Sequence, residues 1–200
     1  MISALVLAAG LSSRMGALKP LLPFGDRTVI EQVISVLMTC SIDDIVVVLG
    51  HRHAEIRAAL EKYPVRVALN TRYQEEMLTS IQQGWSEAHP ATNAVMHVLG
   101  DQPQIEARVV RQVLAAFRED PNGIFVPSFN HRRGHPLLLA SSYRAEILAL
   151  AAPQTMRDFM RAHAAEIRHL PVETDSILRD MDTPAEYERE LADYLNRVHH

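Results

Sequence analysis

The stretch Ile2-Ser3-Ala4-Leu5-Val6-Leu7-Ala8-Ala9-Gly10-Leu11-Ser12-Ser13-Arg14-Met15-Gly16-Ala17-Leu18-Lys19 decides the fold, because it changes character halfway along. Up to Ala8 it is apolar except for Ser3, the pattern of a strand buried on both faces. The small residues at 8 to 10 then let the backbone come close to a flat base or a phosphate, and Gly10 and Gly16 suit the positive φ that such a loop requires. Arg14 and Lys19 add two cations beside exposed backbone N–H groups. Together these make a phosphate cradle. A glycine-bearing turn with solvated Arg and Lys fits the same residues. The glycine spacing is not the G-x-G-x-x-G of dinucleotide folds, and no Lys follows Gly16 directly as in G-x-x-x-x-G-K-[ST].

Working outward, short apolar runs alternate with longer amphipathic ones. The runs Asp44–Leu49, Val65–Leu69, Ala94–Leu99 and Gly123–Pro127 read as further strands. The stretches Thr28–Cys40, His53–Tyr63, Glu76–His89 and Glu106–Glu119 read as helices. This alternation predicts an α/β domain with a mostly parallel central sheet and helices on both sides. Beyond Pro127 the rhythm loosens. Ser128–Gly134 reads as a turn-rich segment, Pro136–Ala140 as a strand, and Ser142–Ala151 and Thr155–Ala164 as helices. Ile167–Val172 and Ser176–Met181 are weaker strands, and a last helix runs from Pro184 to about Val198. No repeat or linker divides the chain, so residues 1–200 are expected to form one domain. The terminal His199-His200 receives no role.

Composition narrows the partners. Hydrophobic residues at 48% and charged residues at 22% are ordinary globular values, and a chain of 200 residues buries roughly 70% of its unfolded surface without a staple. Twenty-four acids against twenty bases leave a net charge of −4, which offers no global attraction to nucleic acid or an anionic membrane. Any phosphate binding must therefore be local. The single cysteine, Cys40, excludes an intramolecular disulfide and reads as a packed thiol in a reducing compartment. The apolar start has no basic n-region, and no run reaches the ~18 apolar residues of a membrane span, so a cytoplasmic location is expected. His51 and His53 lack the i, i+4 spacing of a helical metal site.

Two aspartates carry the remaining chemistry. Asp101 follows the run His97-Val98-Leu99-Gly100, just past the carboxyl end of a strand, where α/β sheets bind ligands. It is equally placed to begin a turn before Pro103. In Asp180-Met181-Asp182-Thr183-Pro184-Ala185-Glu186, Thr183 and Glu186 form a capping box with Pro184 at the first helical position. That leaves Asp182 free to point elsewhere. Asp180 would share its face on an extended segment.

Leu7-Ala8-Ala9-Gly10, Ser12, Arg14-Met15-Gly16, Lys19 and Leu21 match, in order and spacing, the signature L-A-A-G-x-S-x-R-M-G-x-x-K-x-L. The chain thus resembles the MobA-like nucleotidyltransferases, and within them the molybdenum cofactor cytidylyltransferases. The resemblance runs from Leu5 to about Tyr187. It implies a three-layer, Rossmann-like nucleotidyltransferase fold in which the backbone of Leu7, Ala8, Ala9 and Gly10 holds the base. Arg14 would grip the β- and γ-phosphates, and Lys19 would reach the α-phosphate. It also implies that Asp101, in Gly-Asp-x-Pro, and Asp182, in Asp-Met-Asp-Thr-Pro, hold Mg²⁺. In this family Ala at position 9 goes with cytidine nucleotides and Gly with guanine nucleotides.

The resemblance further places Ser80, in Met77-Leu78-Thr79-Ser80, near the nucleotide, although Glu76 stands where the family has Gly. Hydroxyls that satisfy helix N-terminal donors account for that segment equally well. Gly134 and His135, in Gly-His-Pro, fall on the acceptor side, with Arg132 and Arg133 as anion partners. Thr155-Met156-Arg157 is similar to a stretch that meets the pterin. The implied activity is transfer of CMP from CTP to molybdopterin bearing molybdenum, with release of pyrophosphate, in the service of a molybdenum hydroxylase. A sugar phosphate or another phosphorylated metabolite as acceptor, a cofactor-loading chaperone, and an oxidoreductase are the alternatives.

Overall fold

The structure, a computed structural model, describes residues 1–198, so His199-His200 lie outside the described residues. In chain order the elements are β1 (Ile2–Ala8), β2 (Pro23–Phe24), β3 (Arg27–Thr28), α1 (Val29–Met38), β4 (Asp44–Leu49) and α2 (His53–Leu60). Then come β5 (Arg66–Leu69), α3 (Met77–Glu87), β6 (Ala94–Leu99), α4 (Ala107–Glu119), β7 (Ile124–Phe129), β8 (Arg132–Arg133) and β9 (Leu137–Ala140). The chain closes with α5 (Arg144–Ala149), α6 (Met156–Ala162), β10 (Ile167–Pro171) and α7 (Pro184–Val198).

The main sheet has the order β10-β7-β9-β6-β1-β4-β5, with β8 paired to β7. β5, β4, β1 and β6 are mutually parallel, β9 is antiparallel to both of its neighbours, and β7 and β10 are parallel to each other. In β1, β4 and β6 nearly every consecutive residue is buried, because helices cover both faces. The alternation of apolar and amphipathic runs was therefore a sound guide to the architecture.

The helices bury apolar stripes one turn apart. α1 presents Val29, Ile30, Val33, Ile34 and Leu37 to the core, and its start is fixed by a capping box in which Thr28 N–H donates to Glu31 at 2.7 Å. α4 does the same with Val109, Val110, Val113, Leu114 and Phe117. α3 lies close on β1 and β4 because it carries Gly84 there, where a Cβ would stand 2.8 Å from Leu5. As the crossover between parallel strands, α3 begins at their carboxyl ends.

The register brings three loops side by side. Leu7 pairs with Val48 on one flank and Leu99 on the other, so the chain leaves β1, β4 and β6 at one level. The connection from β1 runs toward β4 and that from β6 runs away toward β7. Neighbouring strands whose connections part in this way leave a crevice between their loops.

Two local expectations are corrected. Ser176–Met181 is not a strand: residues Asp175–Leu178 form a 3-10 turn, and the segment then runs extended without joining the sheet. The apolar residues behind that expectation, Ile177 and Met181, are buried without pairing as a strand, Ile177 beside Gly134 and Met181 with Met15, Phe24 and Val29. Ser128–Gly134 is not simply a turn, because β7 continues to Phe129 and folds back into β8. The reversal uses Asn130 and His131, with φ of 48° and 62°. Both central residues left-handed is the geometry that matches the twist of a tight hairpin.

A second, smaller apolar cluster of Met15, Phe24, Val29 and Met181 fastens the loop after β1 to α7, with Tyr194 stacked on Phe24. The last helix is thereby docked beside the first loop.

Candidate active site

The crevice is a cleft of about 490 Å³ lined by Leu7 to Arg14, Lys19, Pro20, Tyr73, Glu75, Met77, Ser80, Leu99, Gly100, Asp101, Asp180 and Asp182. Its floor is backbone. Gly100 N–H donates to Leu7 O at 3.0 Å, and a Cβ on Gly100 would stand 2.9 Å from both Leu7 O and the Ala8 methyl group. Only glycine there allows the Asp101 turn to lie against β1. A Cβ on Gly10 would meet nothing within 4 Å, so that position opens into the cleft. Of the two loop glycines, Gly16 takes a positive φ, 68°, as expected, but Gly10 does not. Ser12, φ 52°, takes the second left-handed position. Ser12 then closes the loop on itself: its carbonyl accepts from Met15 N–H at 3.1 Å and its hydroxyl from Lys19 N–H at 3.2 Å.

Above this floor the charges converge. Lys19 Nζ donates to Asp101 at 2.6 Å and to Asp182 at 2.7 Å, and Arg14 Nη2 lies 2.5 Å from the other oxygen of Asp182. Burial disfavours the Lys19 ammonium, but the two carboxylates outweigh it and hold its pKa above the ordinary value. Hydrogen bonds from Lys19, opposed by some burial, depress the Asp182 pKa, and Arg14 adds to this. Asp180 is pushed up by burial and by the neighbouring Asp182 and Asp101. Lys19 is nearly covered and Arg14 is 72% exposed, so one cation is fixed and the other is free to swing.

Asp182 reaches this point because its segment is strapped down. The buried amides of Gln102 and Gln104 both donate to Arg179 O, at 3.1 and 2.7 Å. The Arg179 guanidinium in turn binds Asp175, Glu190 and Asp193. The predicted capping box is present, since Glu186 accepts from Thr183 N–H at 2.8 Å and from Asp182 N–H at 2.9 Å. Asp182 thus keeps its carboxylate free for the cleft. A charge-assisted constellation now stands where two strand connections part. Residues 4–167 match the MobA-like NTP transferase domain.

The chain belongs to the MobA-like NTP transferase family. It is similar to the molybdenum cofactor cytidylyltransferase of Escherichia coli strain K12, 28% identical over 193 residues that make up 93% of each chain. It is also similar to the nicotine blue oxidoreductase of Paenarthrobacter nicotinovorans, 26% identical over 191 residues, 91% of this chain and 92% of that one. Among solved structures, Rv0371c of Mycobacterium tuberculosis H37Rv in complex with manganese shares the fold at a TM-score of 0.80 and 26% identity, with 96% and 98% of the two chains covered. This MobA-like chain is an enzyme of the nucleotidyltransferase class.

Of the positions the sequence singled out, Leu7, Ala8, Ala9, Gly10, Arg14, Lys19, Ser80, Asp101, Asp180 and Asp182 come together in the cleft. Gly134 and His135 do not line it. Gly134 is required by packing, because a Cβ there would overlap Ile177 O, and His135 N–H donates to that same carbonyl at 3.1 Å. Burial pushes the His135 pKa down to about 4, against the pull of Asp101. Arg132 and Arg133 are exposed on β8, and Thr155 is the cap of α6, bound to Asp158. Cys40 is buried and donates weakly to Val36 O. Among the described residues no group of three or more His, Cys, Asp or Glu could hold a metal, and no helix is long and apolar enough to cross a membrane.

Glu76 poses no conformational difficulty, since its φ of −75° and ψ of 160° are open to any residue. Sequence reasoning missed the cleft's far wall. Tyr73 packs so closely on Gly50 that a Cβ there would overlap it. Asn70, just past β5, ties the loop that carries Tyr73 to α3. A polar residue or glycine immediately after an apolar strand is the signal that marks both.

Proposed function

We propose that the protein is a Mg²⁺-dependent cytidylyltransferase that moves CMP from CTP to molybdopterin bearing molybdenum and releases pyrophosphate. The reading takes residues 1–200 as one cytoplasmic domain that serves a molybdenum hydroxylase. What carries it is the convergence of Asp101 and Asp182 on the Lys19 ammonium at the foot of the cleft. Two carboxylates that reach one ammonium need only a small side-chain movement to close on a smaller cation in its place. Hard oxygens that leave room for substrate phosphates and water are the donor set Mg²⁺ prefers.

The chemistry assigned to the chain is positional. The base lies over the backbone of Leu7–Gly10, with Ser80 beside it. Arg14 leaves Asp182 for the β- and γ-phosphates, as its exposure allows, and Lys19 turns to the α-phosphate. An oxygen of the acceptor phosphate attacks the α-phosphorus while the bond from that phosphorus to the β-phosphate breaks. A phosphate monoester has its second pKa at about 6 and is already an anionic nucleophile at pH 7, so no general base is assigned. Lys19, with its raised pKa, stays protonated and acts by charge. Mg²⁺, held by Asp101 and Asp182, would neutralise the triphosphate. Gly134 and His135, with Arg132 and Arg133, remain the acceptor-side residues of this reading.

The test is turnover of labelled CTP, against GTP, UTP and ATP, with a pterin phosphate. Pyrophosphate release specific to CTP supports the reading. Release with a sugar phosphate instead transfers the activity to that acceptor class, and CTP binding without turnover makes the protein a loading chaperone. The relative named as an oxidoreductase motivates one further arm, a titration with NADH, in which binding would overturn the proposal.

A further inference from the structure

Asn70 is 3% exposed, and every polar atom of its side chain has a defined partner. Its Oδ1 accepts from Arg72 N–H at 2.9 Å, which fixes which end of the amide is which. Its Nδ2 therefore faces α3 and donates to the hydroxyls of Thr79 and Ser80, both at 2.9 Å. The two hydroxyls differ in what they do next. Thr79 passes its proton to the carbonyls of Arg72 and Glu76, at 3.1 and 3.0 Å. Ser80 is buried at the cleft wall, and among the described residues none accepts its proton.

We propose that Asn70 is a positioning residue that fixes Ser80 as a hydrogen-bond donor into the cleft, and that this donor reads an acceptor atom on the pyrimidine ring of the nucleotide. The inference rests on the reading of the cleft as a nucleotide site. A hydroxyl has one proton and two lone pairs, and Asn70 occupies a lone pair. One lone pair and the proton remain, and of the two the buried donor without an acceptor is the costlier to leave unmade, so it favours a ligand that presents an acceptor there. Ser80 stands one turn of α3 before Gly84, which packs on Leu5, and so lies level with the end of β1 where the base is placed.

Calorimetric titration of the whole protein with CTP and Mg²⁺ tests this. Ser80→Ala should weaken CTP by about 5–10-fold, the scale of one neutral hydrogen bond. Asn70→Asp keeps the shape but can only accept, so it draws the Ser80 proton out of the cleft and should cost about as much. The double variant should then be no weaker than Ser80→Ala alone. Thr79→Ala, which loses an equivalent bond to the same amide, should lower the melting temperature yet leave CTP affinity within about twofold. Unchanged affinity in Ser80→Ala, or losses that multiply in the double variant, would overturn the proposal, and the first stands even if Asn70→Asp does not fold. No CTP binding by the parent protein would instead overturn the nucleotide reading of the cleft itself.

Discussion

The cleft and the α5–α6 region use similar polar groups in opposite ways. Around α6, Thr155 and Asp158 cap each other three residues apart, and His163 sits between Glu146 and Glu166 while Tyr143 donates to Glu166. Each of these groups has a partner that nothing needs to displace. In the cleft, Lys19 is paired with Asp101 and Asp182, which are 82 and 163 positions away, and Arg14 holds Asp182 from an exposed loop. Those cations face an open space, and an incoming phosphate can take them over. Short-range pairs fix local structure; long-range pairs at the strand ends are held ready for exchange.

The largest expected effect breaks the acidic pair. Asp101→Asn or Asp182→Asn should each remove most turnover, by about 10²–10³-fold, and the double variant should cost little more, because residues that act as a unit are non-additive. Multiplying losses in steady-state assays would show two independent sites. Next, Lys19→Ala should lower turnover by ~10²–10³-fold through loss of a preorganised cation. The same change frees both carboxylates, so Mn²⁺ should bind the nucleotide-free variant more tightly than the parent, measured by electron paramagnetic resonance. A parent that binds Mn²⁺ as well as the variant would mean that Lys19 does not compete with the ion.

Smaller effects test the structural side. Thr183→Ala should cost about 1 kcal/mol by chemical denaturation, as loss of a helix cap does, with no change in Mg²⁺ dependence. The pH test concerns His163, whose pKa is raised by hydrogen bonds it donates to Glu166 and then Glu146, with burial opposing. A raised folded pKa stabilises the protein fully below the unfolded value of about 6.5 and is lost as pH rises through the folded value. The melting-temperature gap between the parent and His163→Gln should therefore narrow from pH 6 to pH 9. His97 has the opposite sign, since burial, with His135 adding, pushes its pKa down to about 3. Its neutral ring, which accepts from Trp85 Nε1–H at 2.7 Å, makes both proteins less stable as pH falls below 6.5.

The same contrast explains what could be read in the sequence. β1, β4, β6 and the capping box at Thr183 were legible because their causes are local: a buried apolar run, or a hydroxyl and a carboxylate three residues apart; the same boxes at Thr28 and Thr155 went unread. The loop from Leu7 to Lys19 was legible through its unusual run of small and cationic residues. Gly50 and Tyr73 were not, because their importance comes from a contact between the β4–α2 and β5–α3 loops that only the sheet register creates, and Asn70 was not, because its partners Thr79 and Ser80 read as helix N-terminal hydroxyls. Ile177 and Met181 misled as strand residues because burial outside the sheet leaves the same apolar trace as burial within it.

The strap that holds Asp182 has a consequence for the order in which the enzyme is made. The matched family domain ends at residue 167, and the two glutamine amides that grip Arg179 O belong to the β6–α4 loop, well before it. On the ribosome, the sheet through β7 and β9 can assemble while residues 175–198 are still unborn. Such a nascent chain has Lys19 and Asp101 but lacks the partner that Arg14 holds in the finished protein. Its Lys19 has one carboxylate instead of two, and the acidic pair is complete only when the tail docks.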